Sequence, residues 1–191
     1  MIDLEYRIKH SLEPDLELPD PRPRIGAYHD MPYALFRYDP EDEFELRKQV
    51  TLLETRLSQK GKRISRISLA ECLDEAMRSQ RPLDEWFAAE REQGAETLVE
   101  TVHSVLSESA LLLHLVIARL PEHADPLRDI VLITRAGALF PVYRCHTLLE
   151  QLHGRLGVPA VLFYPGTLDG AVGLKFMGVI DADPNYRPKI Y

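Results

Sequence analysis

The sequence predicts an α/β fold: a single domain built on a mixed, mostly parallel sheet of about five to six strands, with helices on both faces. Short runs such as "DIVLIT" and "PAVLFY" are apolar on both faces, which is typical of strands buried between two layers of helices. Longer amphipathic segments separate these runs, as crossover helices do between parallel strands. The predicted architecture is therefore Rossmann-like, and the last apolar runs predict a C-terminal β-hairpin.

Composition indicates a globular protein. The chain has 191 residues, of which 45% are hydrophobic and 28% are charged, enough for one core of ordinary size. Thirty acidic residues against 23 basic ones give a formal charge of -7, so binding to nucleic acid by the chain alone is not expected. The most apolar segment, "SALLLHLVIARL", is too short to span a bilayer. We expect a cytoplasmic protein that does not contact a membrane.

Two parts of the chain are predicted to differ in organisation. Residues 1–31 are expected to form a short N-terminal helix and then, from residue 14, an extended proline-rich arm. Residues 32–191 are expected to form the α/β domain, interrupted by a helical insertion at about residues 82–120. The insertion begins with a short helix around Trp86.

Capping residues and apolar spacing predict where the elements of this domain begin and end. Asp39 and Pro40, after the run "PYALFRYD", indicate a strand that leads into a helix N-terminus. Ser68 is expected to cap the next helix. Apolar residues at helical spacing predict one continuous helix over residues 95–119 and another over residues 141–153.

Polar side chains follow three of the predicted strands at the points where these strands end. Arg37 and Asp39 follow the first strand, Arg135 follows the third, and Tyr164 and Asp169 follow the fourth. The carboxyl ends of parallel strands meet at one edge of a sheet, so these five residues are candidates for a single ligand-binding site. The residues favour a simpler interpretation, in which Asp39 is a helix cap and the arginines pair with it.

The turn "TRAGALFP" does not contain a known catalytic or phosphate-binding motif. A P-loop requires two glycines, a lysine and a hydroxyl residue, whereas this turn offers only Gly137. No serine or cysteine stands between glycines as in a nucleophile elbow. The histidines and the two cysteines, Cys72 and Cys145, lack the close, repeated spacing of zinc ligands. We therefore predict no catalytic residue, no metal site and no cofactor.

Three segments taken in order carry a resemblance to a known family. They are "YALFRYDPEDEFELRKQVTLLETRL", then "VLITRAGALFPVYRCHTLLEQL", then "VLFYPGTLDG" with "GLKFMGVIDADPNYR". Together they resemble the BrxB family of bacterial BREX phage-exclusion systems, from about residue 32 to the C-terminus. Proteins of this family are small accessory components of an antiviral apparatus that also contains a DNA methyltransferase, a large ATPase and a PglZ-type protein of the alkaline-phosphatase superfamily.

The resemblance implies a non-enzymatic assembly or adaptor subunit that works through protein–protein interaction. The direct partner that it implies is the PglZ-type protein, with other BREX components as further partners. Aromatic residues dominate the energetics of many interfaces. Trp86 and Phe87, in the helical insertion, are therefore the expected partner-binding residues.

Two functions of other classes stay open as alternatives. The first is a nucleotide or anion sensor that uses Arg37 and Arg135 at the strand ends. The second is a cryptic metal-dependent nuclease that uses the carboxylates of Asp39 and Asp169.

Overall fold

A mixed, mostly parallel sheet is the frame of the computed structural model, which describes residues 3–26, 32–170, 173–179 and 188–191. Its described strands are β1 (Tyr33–Tyr38), β2 (Arg63–Ser68), β3 (Asp129–Thr134), β4 (Ala160–Asp169), β5 (Gly173–Phe176) and β6 (Lys189–Ile190). Strands β2, β3, β4, β1 and β6 lie side by side in this order, and each pairs in parallel with its neighbours. Strand β5 pairs antiparallel with the far end of β4. The predicted fold class is confirmed, including the C-terminal hairpin.

Helices cover both faces of the sheet. They are α1 (Leu4–Arg7), α2 (Glu13–Leu16), α3 (Arg22–Ile25), α4 (Glu43–Gln59), α5 (Leu69–Gln80), α6 (Leu83–Gln93), α7 (Ala95–Ser109), α8 (Leu111–Ile117) and α9 (Cys145–Leu152). A π-helical turn (Ile8–Leu12) joins α1 to α2, and 3-10 turns (Pro40–Asp42 and Ala136–Leu139) follow β1 and β3.

Alternation along the strands divides the core into two layers. In β1, Ala34 and Phe36 point to one side, where they pack with the N-terminal helices and α4. Tyr33 and Leu35 point to the other side, where they pack with residues of α5 to α9. Successive side chains of a strand alternate between faces, so one apolar strand serves both layers. We call these sides the α4 face and the α5–α9 face.

The N-terminal segment is part of the core rather than an arm. Leu12, Leu16 and Ile25 are fully buried on the α4 face. The expectation of an extended connector from residue 14 is wrong for α2 and α3, each of which holds a proline in its first turn. A proline is tolerated there because the first amides of a helix have no partner within the helix. Residues 27–31 lie outside the described residues.

Two predicted helices are shorter in the structure. Instead of one helix over residues 95–119, the chain turns at Ala110, which has φ 46° and ψ 27°, so that α7 and α8 are separate. The helix predicted from residue 141 begins at Cys145. Arg144, the residue before Cys145, is extended, with φ -94° and ψ 129°, so helical backbone does not run through from Pro141.

Strand β4 continues past the apolar run that predicted it. Gly166 lies in this extension, where a Cβ atom would come within 2.3 Å of the Lys175 carbonyl oxygen. Only glycine allows β4 and β5 to approach this closely. The chain then turns at Gly170, which has φ +67°, a conformation that suits glycine.

Candidate functional site

Three of the five predicted ligand-binding residues lie at one level across the sheet. Arg37 pairs with Tyr164 in the register of β1 and β4. Ile133 pairs with Leu162 in the register of β3 and β4, which places Arg135, two residues farther on, level with Tyr164. Parallel strands thus bring these three positions to the same edge.

Their side chains, however, do not share one site. Tyr164 is 1% exposed and lies in the core of the α5–α9 face, with its ring centroid 5.5 Å from that of Phe176. Arg37 Nη1 donates to the Gly166 carbonyl oxygen over 3.4 Å, at the base of the β4–β5 hairpin. Arg135 lines a cleft that includes residues of α4. The sheet therefore stands between Arg135 and the other two side chains.

The two predicted carboxylates have separate structural roles. Asp39 accepts a hydrogen bond from the Glu41 backbone N–H over 3.3 Å and so caps the turn after β1. Asp169 lies at the end of β4, 3.6 Å from Lys175 Nζ. Pro165 lies level with Tyr38, the neighbour of Asp39, in the register of β1 and β4. Asp169 is four residues beyond Pro165, so it lies about 13 Å past that level along β4. Within the described ranges, no group of three metal-binding side chains is close enough to hold an ion.

A cleft of about 170 Å³ opens where α4 meets the carboxyl ends of β2 and β3. Three arginines from three different elements line it, and we call it the arginine cleft: Arg47 from α4, Arg66 from β2 and Arg135 after β3. Its remaining lining residues are Glu43, Leu46, Val50, Thr51, Ser68, Glu71 and Thr134. Ser68 Oγ accepts from the Glu71 backbone N–H over 3.3 Å, which is the helix cap that the sequence predicts.

Glu43 organises one wall of the arginine cleft. Its carboxylate accepts a hydrogen bond from the buried hydroxyl of Tyr38 and another from Arg47 Nε over 2.8 Å. Burial, and next the hydrogen bond to Glu43, raise the pKa of Tyr38, so this hydroxyl stays protonated and donates. Arg135 Nε lies 4.0 Å from Glu43, beyond hydrogen-bond distance. On the other wall, Arg66 Nη1 donates to Thr51 Oγ1 over 3.1 Å.

The backbone of Arg135 is in the left-handed region, with φ 61° and ψ 33°. An L-residue with a Cβ atom is strained there by about 1 kcal/mol. Replacing Arg135 by glycine relieves this strain, whereas replacing it by alanine removes the same guanidinium and keeps the strain. We expect the glycine variant to be more stable than the alanine variant by about 1 kcal/mol in urea unfolding. Equal stability of the two variants would mean that Arg135 is not strained.

The two cysteines are buried and free. Burial raises the pKa of Cys72 and of Cys145, so both thiols stay protonated at neutral pH. A protonated, inaccessible thiol is a poor nucleophile.

The predicted helical insertion contains a helical hairpin, α6 and α7, on the α5–α9 face. Trp86 is only 2% exposed, its indole N–H donates to the Met77 carbonyl oxygen over 3.1 Å, and Arg81 stacks 4.2 Å from its ring centroid. Phe87, the next residue, is 53% exposed. Of the two aromatic residues expected to bind a partner, the structure therefore leaves Phe87 accessible and buries Trp86 in the core.

Nearly all the net charge of the chain lies on this hairpin. Residues 83–109 hold seven acidic residues (Asp84, Glu85, Glu90, Glu92, Glu96, Glu100 and Glu108) and one basic residue, Arg91. This segment, which we call the acidic hairpin, has a net charge of -6, and the rest of the chain, with 23 acidic and 22 basic residues, has -1. Charge summed over the whole sequence does not show this concentration, although charge counted for each predicted element would have shown it.

Comparison with known proteins places the chain in a family. A family model described as "BREX protein BrxB" matches residues 65–190. The chain belongs to the BrxB family. A protein of Bacillus cereus (strain H3081.97) named "BREX protein BrxB" is 29% identical over 168 residues, which cover 87% of this chain and 86% of that protein. No solved structure matches the chain significantly.

Membership of the BrxB family supports a role associated with the BREX system and confirms the resemblance seen in the sequence. The matched region contains the whole acidic hairpin, together with Arg66 and Arg135 of the arginine cleft. Glu43 and Arg47 precede the region that the family model matches. All helices in the described ranges are too short or too polar to traverse a lipid bilayer.

Proposed function

We propose that this BrxB-family protein is a non-enzymatic adaptor subunit of a BREX complex that binds a PglZ-type partner through the acidic hairpin. The observation that carries this proposal is the concentration of net charge on one exposed pair of helices. BrxB membership supports the BREX setting, and other BREX components are further candidate partners.

The charges of the acidic hairpin have no ionic partner among the residues that the structure describes. All seven of its carboxylate side chains are exposed, and none of them forms a salt bridge with another described residue. Binding to a basic surface would give these carboxylates partners and would speed association.

Three of the seven charges, those of Asp84, Glu85 and Glu96, lie in first turns, where they favour the helices, but others oppose helix stability. Glu90 and Glu92 lie in the last turn of α6, and Glu108 lies in the last turn of α7, where negative charge interacts unfavourably with the helix dipole. Glu96 and Glu100 are four residues apart on α7, a spacing at which like charges repel. Stability of the free chain explains only the first-turn carboxylates, whereas recognition of a cationic partner explains the others as well.

The acidic hairpin also presents an aromatic anchor. Its inner side is held to the core by Trp86, Val102 and Leu106, all buried. Phe87 stands exposed beside Trp86 in the sequence. An exposed aromatic side chain surrounded by charge is a common centre for a binding surface. The partner surface that fits is therefore basic, with an apolar recess for Phe87.

The test is co-expression with the PglZ-type protein of the same BREX locus, followed by light scattering and a titration of the purified proteins. We expect a stoichiometric complex that weakens as salt rises from about 50 mM to about 500 mM. Reversing two hairpin charges in Glu92→Lys/Glu96→Lys is expected to weaken binding at least about tenfold, which corresponds to about 1.4 kcal/mol.

A matched control variant distinguishes an effect of the hairpin surface on binding from an effect of the overall net charge. Glu41 and Glu122 are exposed, lie outside the acidic hairpin, and form no salt bridge with another described residue. The variant Glu41→Lys/Glu122→Lys changes net charge by the same amount and should bind normally. Equal weakening by both double variants would place the docking surface elsewhere. Separate migration of the two wild-type proteins at micromolar concentration would contradict the choice of partner.

A further inference from the structure

The arginine cleft is a second charged feature, distinct from the acidic hairpin. It lies where α4 meets the sheet and includes the first turn of α5, whereas the hairpin begins beyond the other end of α5, about 18 Å away along that helix. We propose that the arginine cleft is a binding site for a phosphate group. This inference does not depend on the adaptor role or on the identity of the protein partner.

The cleft carries the donors that such a ligand requires. Three guanidinium groups line it together with the carboxylates of Glu43 and Glu71, and the carboxylate of Glu54 lies 3.6 Å from Arg66 Nη1. Guanidinium groups present several donors in a rigid fork, which suits the oxygens of a phosphate. The three arginines come from separate elements and meet only through the fold. A chain with an overall charge of -7 has no general affinity for anions, so a local site of this kind is needed for specific binding.

Donors remain available in the cleft. Arg135 is 41% exposed at its side chain and lies 4.0 Å from Glu43, so its closest charged partner does not form a hydrogen bond with it. Arg47 uses Nε to reach Glu43, which leaves its terminal nitrogens for a ligand. The Ser68 hydroxyl accepts from a backbone N–H, and its own hydrogen can donate.

The backbone at Arg135 supports the same inference. Its left-handed conformation is costly for arginine and would suit glycine. Strained residues of this kind occur often at ligand sites, where the strain holds a side chain in the position that binding requires. Here it holds Arg135 on the side of the sheet where Arg47 and Arg66 line the cleft, opposite Arg37. The predicted pairing of Arg37 with Arg135 in one anion site is therefore replaced by Arg47 and Arg66.

The size of the cleft limits the ligand. At about 170 Å³, it is smaller than the pockets of about 300 Å³ or more that enclose drug-sized molecules. It accommodates a phosphate group but leaves no room for a base and a ribose. Two ligands fit this geometry. One is inorganic phosphate, and the other is a nucleotide whose terminal phosphate lies in the cleft and whose remainder lies outside it.

The experiment is a titration of the full chain with inorganic phosphate, AMP and ATP, each against sodium chloride of equal ionic strength. Binding is followed by calorimetry and by the melting temperature. We expect a saturable rise in melting temperature with phosphate. The variant Arg66→Gln/Arg135→Gln should weaken binding at least tenfold, whereas Arg78→Gln, outside the cleft and paired with Asp74, should bind as the wild type does.

The titration gives different results for inorganic phosphate and for a nucleotide. Tighter binding of AMP or ATP than of inorganic phosphate by tenfold or more would identify a nucleotide, and equal affinities would identify the phosphate group alone as the ligand. A single variant, Arg135→Glu, provides a second test if the double variant does not fold. The proposal is overturned if no ligand gives a saturable shift beyond the chloride control, or if the cleft variants bind as tightly as the wild type.

Discussion

Replacing Trp86 by alanine is expected to lower the free energy of unfolding by about 4 kcal/mol, the range for loss of a buried aromatic side chain. Trp86 is 2% exposed and packs in the core of the α5–α9 face. The substitution also removes the indole donor 3.1 Å from the Met77 carbonyl oxygen, which still accepts the Arg81 backbone N–H, so the loss of packing accounts for most of the effect. Urea unfolding followed by circular dichroism measures the change.

The adjacent residue is the matched control. Phe87 is 53% exposed, so Phe87→Ala is expected to change stability by less than about 0.5 kcal/mol while weakening binding to the PglZ-type partner. The two neighbouring aromatic residues thus separate stability from recognition. Comparable loss of stability in both variants would mean that α6 does not pack with Trp86 inward and Phe87 outward.

Replacing Arg56 by methionine is expected to destabilise the chain by about 3 kcal/mol. Arg56 Nε and Nη2 donate to the two carboxylate oxygens of Glu13, each over 2.7 Å. The Glu13 side chain is 8% exposed and that of Arg56 is 27% exposed. Removing the cation leaves a buried carboxylate without its partner. The expected loss is at the lower end of the range for buried pairs because Arg56 is partly exposed. Thermal and urea unfolding at neutral pH measure it.

The double variant Glu13→Met/Arg56→Met tests the cause. Without the carboxylate there is no uncompensated charge, so we expect the double variant to recover most of the stability that the single variant loses. This ion pair joins α2 to α4. An equal loss in the single and double variants would show that the packing of the arginine side chain, rather than its charge, attaches the N-terminal segment.

A short sequence pattern is sufficient to predict those elements whose strand or capping residues lie within a few positions of one another. The run "DIVLIT" is β3 from its first residue to its last, because a strand covered on both faces is apolar throughout. Asp39 caps the turn after β1 and Ser68 caps α5, since a cap requires only one side chain and a nearby amide. The N-terminal segment is harder to predict because its prolines fit both an extended arm and the first turn of a helix.

Other features depend on which surfaces meet. Trp86 and Phe87 are neighbours with similar chemistry, and only the packing of α6 against the end of α5 buries one and exposes the other. The break at Ala110 has no proline or glycine to mark it in the sequence. It arises where α8 turns to pack against α5 and α9. Alternation along β3 would place Arg135 on the same face as Arg37 and Tyr164, but the left-handed backbone at Arg135 turns its side chain to the α4 face.

The sequence by itself determined the fold class, the family and the concentration of negative charge in residues 83–109, because each of these is read along the chain without knowing which surfaces meet. Only the tertiary structure decided that Arg47, Arg66 and Arg135 line one cleft and that α1 to α3 belong to the core. These features join residues distant in sequence, and their contacts depend on the register and facing of elements that local pattern does not specify.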